Sequence, residues 1–207
     1  MPKYIKNILY SFFAFLMLGL GISLQIKARI GQSMLNAFAI TLSESLRLDI
    51  GTMLNLLNMS FFIIYLAIRR AHINHRDIIQ IIATIANGFI INIFVYFIFD
   101  DLIIQSYLLR VLLFILGLSL ASVSLGAILA MEILKFPLES LCIVLGERLE
   151  SKLTTVRMGF DIFFMLSTLI ITLMTKHTLY IREGTIISFF LLSRLMGFSY
   201  YFLKKRL

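Results

Sequence analysis

Ionisable side chains stand inside long apolar stretches of this chain, where a charge is costly and is therefore a candidate for function. Arg157 and Asp161 are four residues apart, a spacing that places both on one face of a helix within reach of each other. Two interpretations are open. Either the pair neutralises itself and packs inside a bundle of helices, or Asp161 binds a proton, a cation or a substrate amine while Arg157 tunes it.

Arg194 is a further such residue, about ten residues from either end of its apolar stretch and too far from both for easy snorkelling. We expect it to have a partner, and Asp161 and Glu132 are the acidic residues available. A structural salt bridge between helices and a binding site for an anionic substrate both fit. Glu132 also belongs, with Glu139 and Glu147, to an acidic group around a short apolar stretch. These three are either solvated or, if that stretch enters the membrane, placed to guide a cation.

Motifs that carry catalysis are absent from the sequence. It contains no Walker A loop, no G-x-G-x-x-G segment before a strand, no H-E-x-x-H and no G-x-S-x-G. Its single cysteine, Cys142, excludes an intramolecular disulfide and a cysteine-based metal site. We therefore expect no catalytic residue, no metal and no cofactor. A membrane-embedded enzyme, built from scattered residues, is the third of our functional hypotheses.

The composition predicts an all-α integral membrane protein with one membrane domain over residues 1–207. Hydrophobic residues make up 60% of the chain and charged residues 14%, against roughly half and a quarter in ordinary soluble domains. One soluble core could not hide that excess. Helices are expected because backbone polar groups in lipid must be satisfied within each segment. Six stretches approach the roughly 20 residues that a span requires: 7–26, 50–68, 78–99, 109–131, 156–174 and 184–203.

Two further apolar stretches, 33–46 and 136–149, are too short to span the membrane and carry acidic residues. Each is predicted to form a short helix. Such a helix lies on the membrane surface as an amphipathic helix, or it re-enters the membrane and lines a cavity. The sequence leaves both arrangements open.

The chain also repeats itself at an offset of 103 residues, close to half its length. In an ungapped frame the polar positions coincide as the pairs Glu44/Glu147, Thr52/Thr155 and Asn58/Asp161. Each half then contains a spanning helix, a short helix and two more spanning helices, with the first repeat over 1–102 and the second over 103–207. Asn58 and Asp161, at pseudo-symmetric positions, are candidates to face one another at a central cavity.

The distribution of Lys and Arg predicts that both termini lie in the cytoplasm. With the N-terminus inside, the cytoplasmic cations are Lys3, Lys6, Arg69, Arg70, Arg76, Lys135, Arg148, Lys152, Lys204, Lys205 and Arg206, and the outer ones are Lys27, Arg29, Arg47, Lys176 and Arg182. Three spans per half is an odd number, so the repeats must enter the membrane in opposite directions. Inverted repeats are a recurring architecture of transporters.

The net charge of +8 is therefore assigned to topology and to anionic membrane lipids, and we expect no nucleic-acid partner. The usage of Ile, Phe, Lys and Asn is typical of an AT-rich bacterial genome, which makes a bacterial cytoplasmic membrane the expected location.

The stretch 19–33, GLGISLQIKARIGQS, resembles the opening of the YczE/YyaS/YitT family of bacterial membrane proteins, in which a glycine-rich first helix leads into a Gly-x-Ser-Pro turn. The stretch 155–161, TVRMGFD, is similar to the family's Val-Arg-x-x-x-acid segment, and Gly184–Thr185 matches its Gly-Thr pair. The chain departs from the family at Met34 and Leu134, where Pro and Gly are usual. The resemblance implies a six-helix multi-pass protein with no established enzymatic activity, with small-molecule export as the suspected role.

Besides the membrane-embedded enzyme, which is the third hypothesis, the sequence supports two others. The first is a secondary transporter, an ion- or proton-coupled exporter of an unknown small molecule, with Asp161, Arg157, Arg194, Asn58 and Glu132 as candidate binding residues. The second is a non-transporting membrane partner or scaffold that stabilises or regulates another membrane or biosynthetic complex. A homodimer is compatible with the small size of the chain but no motif indicates it.

Overall fold

The computed structural model of this chain describes residues 3–69, 73–131, 136–175 and 179–205. Across those ranges all regular structure is helical. In chain order the helices are α1 (Lys3–Ala28), α2 (Met34–Leu46), α3 (Ile50–Arg69), α4 (His75–Ile93), α5 (Tyr107–Ala130), α6 (Pro137–Arg148), α7 (Leu153–Thr175) and α8 (Glu183–Lys204). Six of them, all but α2 and α6, are long and apolar enough to cross a membrane. The predicted all-α class is confirmed, and each of the six predicted stretches forms a helix long and apolar enough to cross a membrane.

Local signals set the ends of several helices. Asn74 caps α4 by accepting a hydrogen bond from the backbone N–H of His75, and Asp77 accepts one from the backbone N–H of Asn74. This reciprocal arrangement is a capping box. α4 then continues as a π-helical turn over Phe94–Ile98. α6 begins with Pro137 at its first turn, where the missing N–H of proline costs nothing.

α1, α5 and α8 form one packed layer whose crossings require glycine. A Cβ on Gly21 would lie 2.7 Å from the carbonyl oxygen of Gly117, so α1 and α5 touch backbone to backbone. Near the other end of α5 the hydroxyl of Ser199 on α8 donates to the carbonyl oxygen of Val123. α1 runs antiparallel to α5, since Ser11 contacts Met131. α8 runs parallel to α5, so both chain termini lie at the same end of the bundle.

α3 and α4 form an antiparallel pair held by partly buried side-chain amides. The Oδ1 atom of Asn92 accepts from the backbone N–H of Gly51 at 2.7 Å, and the Nδ2 atom of Asn55 donates to the carbonyl oxygen of Ile85 at 3.1 Å. α4 also packs along α1, and Lys27 at the end of α1 donates to the carbonyl oxygen of Asp100. We call the end with both chain termini the terminal end and the opposite end the distal end.

The two short helices lie inside the bundle. α2 packs on α3 and α7, α6 packs on the same two helices, and six residues of each short helix are buried. Phe38 of α2 stacks on Phe164 at the middle of α7, and Leu138 near the start of α6 belongs to the same core cluster. α2 ends beside the start of α3 at the distal end, whereas α6 ends beside the start of α7 at the terminal end. Both short helices therefore begin near the middle of the bundle and point in opposite directions.

Candidate functional site

One guanidinium joins α6 to α7 through two carboxylates. The Nη1 atom of Arg157 donates to Oε1 of Glu139 at 2.6 Å, and its Nε atom lies 3.5 Å from Oδ1 of Asp161 one turn along α7. The three side chains are 32%, 33% and 21% exposed, so each is only partly accessible. The predicted Arg157–Asp161 contact is confirmed. Glu139 enlarges it to an ion cluster with one cation and two anions.

α6 is held in place on its other side by polar contacts to α4. The Nε2 atom of Gln80 donates to the hydroxyl of Ser140 at 3.2 Å, and both residues are buried. Glu139 therefore follows a fixed proline and precedes an anchored serine, in the first turn of the helix, where the N-terminal dipole favours an acidic side chain. Rigid backbone on both sides positions this carboxylate for Arg157.

The charge of the cluster suits a cation. If all three groups are ionised, two carboxylates share one guanidinium, which leaves one negative charge uncompensated. A carboxylate whose charge is not fully balanced in a partly buried position binds a proton, a metal cation or an ammonium group more readily than one in water, because less solvent competes for it. Arg157 and Asp161 lie within the first two turns of the candidate span Thr155–Thr175, and Glu139 reaches them from the short helix α6. The chemistry that two carboxylates and one guanidinium offer here is the exchange of a cation or a proton.

An aromatic layer covers the distal side of the cluster. Phe160, which precedes Asp161, packs edge-to-face on Phe61 of α3 at 6.2 Å between ring centroids. Phe164, one turn further on, contacts Phe38 of α2 at 5.4 Å. Phe164 has no exposed surface. These rings form an apolar layer on the distal side of the cluster.

A cleft opens on the terminal side. It encloses about 470 Å³ between the last turns of α3 and the outer face of α6. The lining residues are Tyr65, Ile68, Arg69, Ser140, Ile143, Val144, Glu147 and Arg148. Two contacts already occupy part of the guanidinium of Arg69. It donates to the hydroxyl of Tyr65 at 2.6 Å and lies 3.2 Å from the carboxylate of Asp77. The cleft and the ion cluster share helix α6, where Glu139 adjoins Ser140 of the cleft wall.

The distal end carries a second polar contact, between α2 and the segment before α8. The hydroxyl of Tyr180 donates a short hydrogen bond to Oε1 of Glu44. Burial, and then the hydrogen bond to Glu44, raise the pKa of Tyr180, so this hydroxyl remains a donor at physiological pH. The second oxygen of Glu44, Oε2, is buried and has no hydrogen-bond partner among the described residues.

Other predicted site residues do not join the cluster. Asn58 donates its amide to the carbonyl oxygen of Leu54 on its own helix, and no hydrogen bond links it to Asp161. Arg194 is exposed on α8 and forms no ion pair with Asp161, which is occupied by Arg157. Of the two partners expected for Arg194, Asp161 is therefore not the one observed, because α8 packs on α5 whereas α7 packs on α2 and α6. Glu132 lies outside the described residues.

Comparison with protein families matches residues 5–200, nearly the whole chain, to DUF6198, a family of unknown function. The chain belongs to DUF6198. No curated protein and no solved structure matches it. Membership in DUF6198 agrees with a single unit along the chain but assigns no activity, and the resemblance to the YczE/YyaS/YitT family stays an expectation.

Two residues of this DUF6198 chain were given too little weight by sequence reasoning. The simplest interpretation of Glu139 was a solvated acid. The structure instead pairs it with Arg157, eighteen residues further along the chain. Tyr180 carries no motif at all. The contact of Glu139 could have been predicted from the alternative in which α6 re-enters the membrane. A short helix inside the bundle brings its acidic first turn to α7.

Proposed function

We propose that this DUF6198 chain is a secondary transporter of the bacterial cytoplasmic membrane, with both termini in the cytoplasm, which couples movement of a small molecule to a proton or cation. The observation that carries the proposal is the ion cluster of Glu139, Arg157 and Asp161. Two of its members, Arg157 and Asp161, lie inside a candidate spanning helix, the cluster holds one more anion than cations, and Glu139 adjoins a cleft that opens at the terminal end. Charged groups at membrane depth typically mark ion and substrate pathways.

Helix directions support an inverted repeat. In the first half, α1 and α4 run from the terminal end to the distal end, and α3 runs the opposite way. In the second half, α7 runs from the terminal end to the distal end, and α5 and α8 run the opposite way. The packing partners agree: α2 lies on α3 and α7, and α6 lies on α7 and α3, while α1–α4 corresponds to α5–α8. The α3–α4 pairing has no counterpart of similar extent between α7 and α8 in the described ranges. In transporters built from such repeats the site lies between them, at discontinuous helices.

The cleft supplies a route from the cytoplasm in this arrangement. Its open side has Arg69, Arg148 and Glu147, a mixed set that tolerates solutes of either charge. Its inner wall is α6, which carries Glu139 toward Arg157. A cation or an amine that enters the cleft reaches the carboxylates after passing one helix face, whereas the aromatic layer blocks further movement. The proposed coupling ion or substrate amine binds at Asp161 and Glu139, and Arg157 is released from one of them when it does.

Everted membrane vesicles test this even while the substrate is unidentified. Respiration acidifies the vesicle interior, and a quenched fluorescent weak base reports the pH gradient. A panel of small organic cations, amino acids, carboxylates and inorganic cations is added to the cytoplasmic face. We expect at least one compound to dissipate the gradient in vesicles with the parent protein, and the Asp161→Asn variant to lose this response while reaching the membrane in equal amount.

The matched control is Asp101→Asn, which removes a carboxylate from an exposed loop position and should leave the response intact. A response that survives in Asp161→Asn would exclude the assigned role of Asp161. A panel that never distinguishes parent vesicles from vesicles lacking the protein would count against transport coupled to protons.

A non-transporting membrane partner is the second candidate, and the exposure of Arg194 favours it. This cation stands near the middle of α8, where contact with lipid would be costly. An acidic residue of another membrane protein could neutralise it. Stable co-purification of one defined protein that is lost in Arg194→Leu but retained in Arg182→Leu, with no solute response, would favour the partner over the transporter.

A further inference from the structure

We propose that the hydrogen bond between Tyr180 and Glu44 is a gate that closes the distal end of the protein, and that Glu147 is its counterpart at the terminal end. This inference rests on the proposed transport function and adds gating residues to it. In the present structure the distal gate is closed and the terminal one is open.

The distal contact joins two parts of the chain that are 136 residues apart. Glu44 lies in the last turn of α2, and Tyr180 lies in the segment that precedes α8. The ring of Tyr180 packs against the cluster that includes Ile50, Met53 and Val95, and so covers the distal ends of α3 and α4. Opening this end requires the ring to leave that cluster.

Only one of the two carboxylate oxygens of Glu44 has a hydrogen-bond partner, which is consistent with a bond that breaks when the gate opens. Glu44 accepts from Tyr180 through Oε1, but Oε2 is buried and has no partner in the described part of the chain. A buried acceptor without a partner raises the free energy of the state that buries it. The packing of the Tyr180 ring stabilises the closed distal state, and the unpaired Oε2 atom offsets part of that stabilisation.

The repeat places the corresponding residues at the other end. An offset of 103 carries Glu44 onto Glu147 and Tyr180 onto Asp77. Glu147 lies in the last turn of α6 but is exposed and lines the cleft, while Asp77 is bound to Arg69 on the opposite wall. At the distal end the glutamate of the short helix bonds to its opposite segment, whereas among the described contacts at the terminal end no hydrogen bond or ion pair joins Glu147 to Asp77, although α6 touches α4 through Ser140 and Gln80. This difference between equivalent positions identifies a state open toward the terminal end.

Closing the cleft brings the carboxylate of Glu147 toward the guanidinium of Arg69, which replaces an open polar wall by an ion pair. If the two short helices move with their repeats, this step and the loss of the Tyr180–Glu44 bond occur together. Rocking of one repeat against the other around a fixed site is the expected motion for such architectures. A variant that weakens the distal bond should then shift the population toward closure of the cleft.

Cysteine accessibility measures both ends at once. In a Cys142→Ser background, single cysteines replace Met53, which lies in the cluster covered by Tyr180, or Val144, which lines the cleft. Full-length protein in detergent is labelled with a maleimide, and the rates are compared between the parent and Tyr180→Phe. We expect labelling at position 53 to rise about fivefold, which corresponds to about 1 kcal/mol, the net contribution of a typical hydrogen bond. Labelling at position 144 should fall.

The matched control is Tyr107→Phe. Tyr107 also donates to a glutamate, Glu183, at the same end of the bundle, but on its exposed surface. This variant should leave both rates unchanged. Glu44→Gln keeps an acceptor for Tyr180 and should behave as the parent, whereas Glu44→Ala should reproduce Tyr180→Phe.

Each other outcome overturns the gate. A rise at position 53 without a fall at position 144 would show a local structural bond, and a rise at both would show a loosened fold. Unchanged rates would show that the bond does not hold this end closed. Labelling requires no substrate, so reciprocal rates in a protein that fails the vesicle assay would count against proton-coupled transport and leave the coupled motion standing.

Discussion

Arg157 on α7 donates to Glu139 on α6 across 2.6 Å, and this pair links two helices that meet at a sharp turn of the chain. The contact lies on the side of α6 that faces α7, while Ser140 next to it bonds to α4. α6 is therefore held between polar contacts on opposite sides. Movement of α6 would require one of these two hydrogen bonds to break. The Arg157–Glu139 pair therefore bears on stability as well as on ion binding.

Replacing Glu139 by Gln should destabilise the protein by about 1–2 kcal/mol, because Arg157 loses its closer partner while one third of its side chain remains exposed to solvent. Thermal unfolding in detergent measures this as a lower Tm. Glu150→Gln, at an exposed position, is the control and should leave the Tm unchanged. Equal Tm values for the two variants would show that the Glu139–Arg157 bond adds nothing to stability.

The α1–α5 crossing should not tolerate a methyl group. In Gly21→Ala the new Cβ would approach the backbone of Gly117 and Ala121 to 2.7 Å, and backbone atoms cannot rotate away. We expect a loss of at least about 2 kcal/mol, in the range of overpacked cores. Gly159→Ala is the matched control, because a Cβ there meets nothing within 4 Å, and alanine should be neutral or slightly stabilising. Unfolding curves that place Gly21→Ala at or above the parent would contradict the close crossing.

The start of α4 depends on Asp77, which is 5% exposed and accepts from both Asn74 and Arg69. Asp77→Ala removes the cap and leaves Arg69 with only Tyr65. A cost of about 1–2 kcal/mol is expected from the lost capping alone. The decrease in Tm should exceed that of Asp101→Ala, which removes a carboxylate from an exposed loop position. Similar decreases for the two alanines would argue that the cap is dispensable.

Labelling of intact cells tests the orientation in the membrane. In the Cys142→Ser background a cysteine at Leu179, in the distal segment before α8, should react with an impermeant maleimide. A cysteine at Ile73, in the segment before α4 at the terminal end, should react only after permeabilisation. Both positions are exposed in the structure, so access to reagent decides the result. The reverse pattern would place both termini outside, and reaction at both positions would exclude opposite sides.

Native Cys142 should be inert in the folded protein. Its side chain has no exposed surface and lies in the core cluster with Leu138 and Phe164. A maleimide at neutral pH should modify it only after denaturation in detergent such as SDS, which mass spectrometry would detect. Modification of the native protein at the rate of an exposed thiol would show that α6 leaves its position, and it would require the Cys142→Ser background in every accessibility experiment.

The positions of the helices followed from local composition. A run of apolar residues long enough to cross a bilayer has one stable backbone form there. With the π-helical turn counted as part of α4, the observed spans agree with the predicted ranges to within four residues at every end. The contact of Arg157 with Asp161 was also predictable, because helical geometry alone brings residues four apart together. Neither conclusion needed the arrangement of one helix against another.

The partners of the other charged residues did not follow in this way. Arg194 was expected to pair with Asp161 or Glu132. α8 presents it on an exposed face away from Asp161, and sequence spacing says nothing about which helix a face meets. Glu139 bonds to Arg157 because α6 lies inside the bundle beside α7, an arrangement that the sequence left open against a surface helix.

The sequence by itself determined that this chain is helical, how many helices it forms that are long and apolar enough to cross a membrane, and which polar residues must be accommodated among them. Each of these depends on the transfer of short segments between water and lipid, which is a property of local composition. Only the tertiary structure decided that Glu139 completes the ion cluster, that Tyr180 meets Glu44, and that a cleft opens beside α6 at one end. Those contacts join residues 18 to 136 positions apart, and they depend on how helix faces pack against each other.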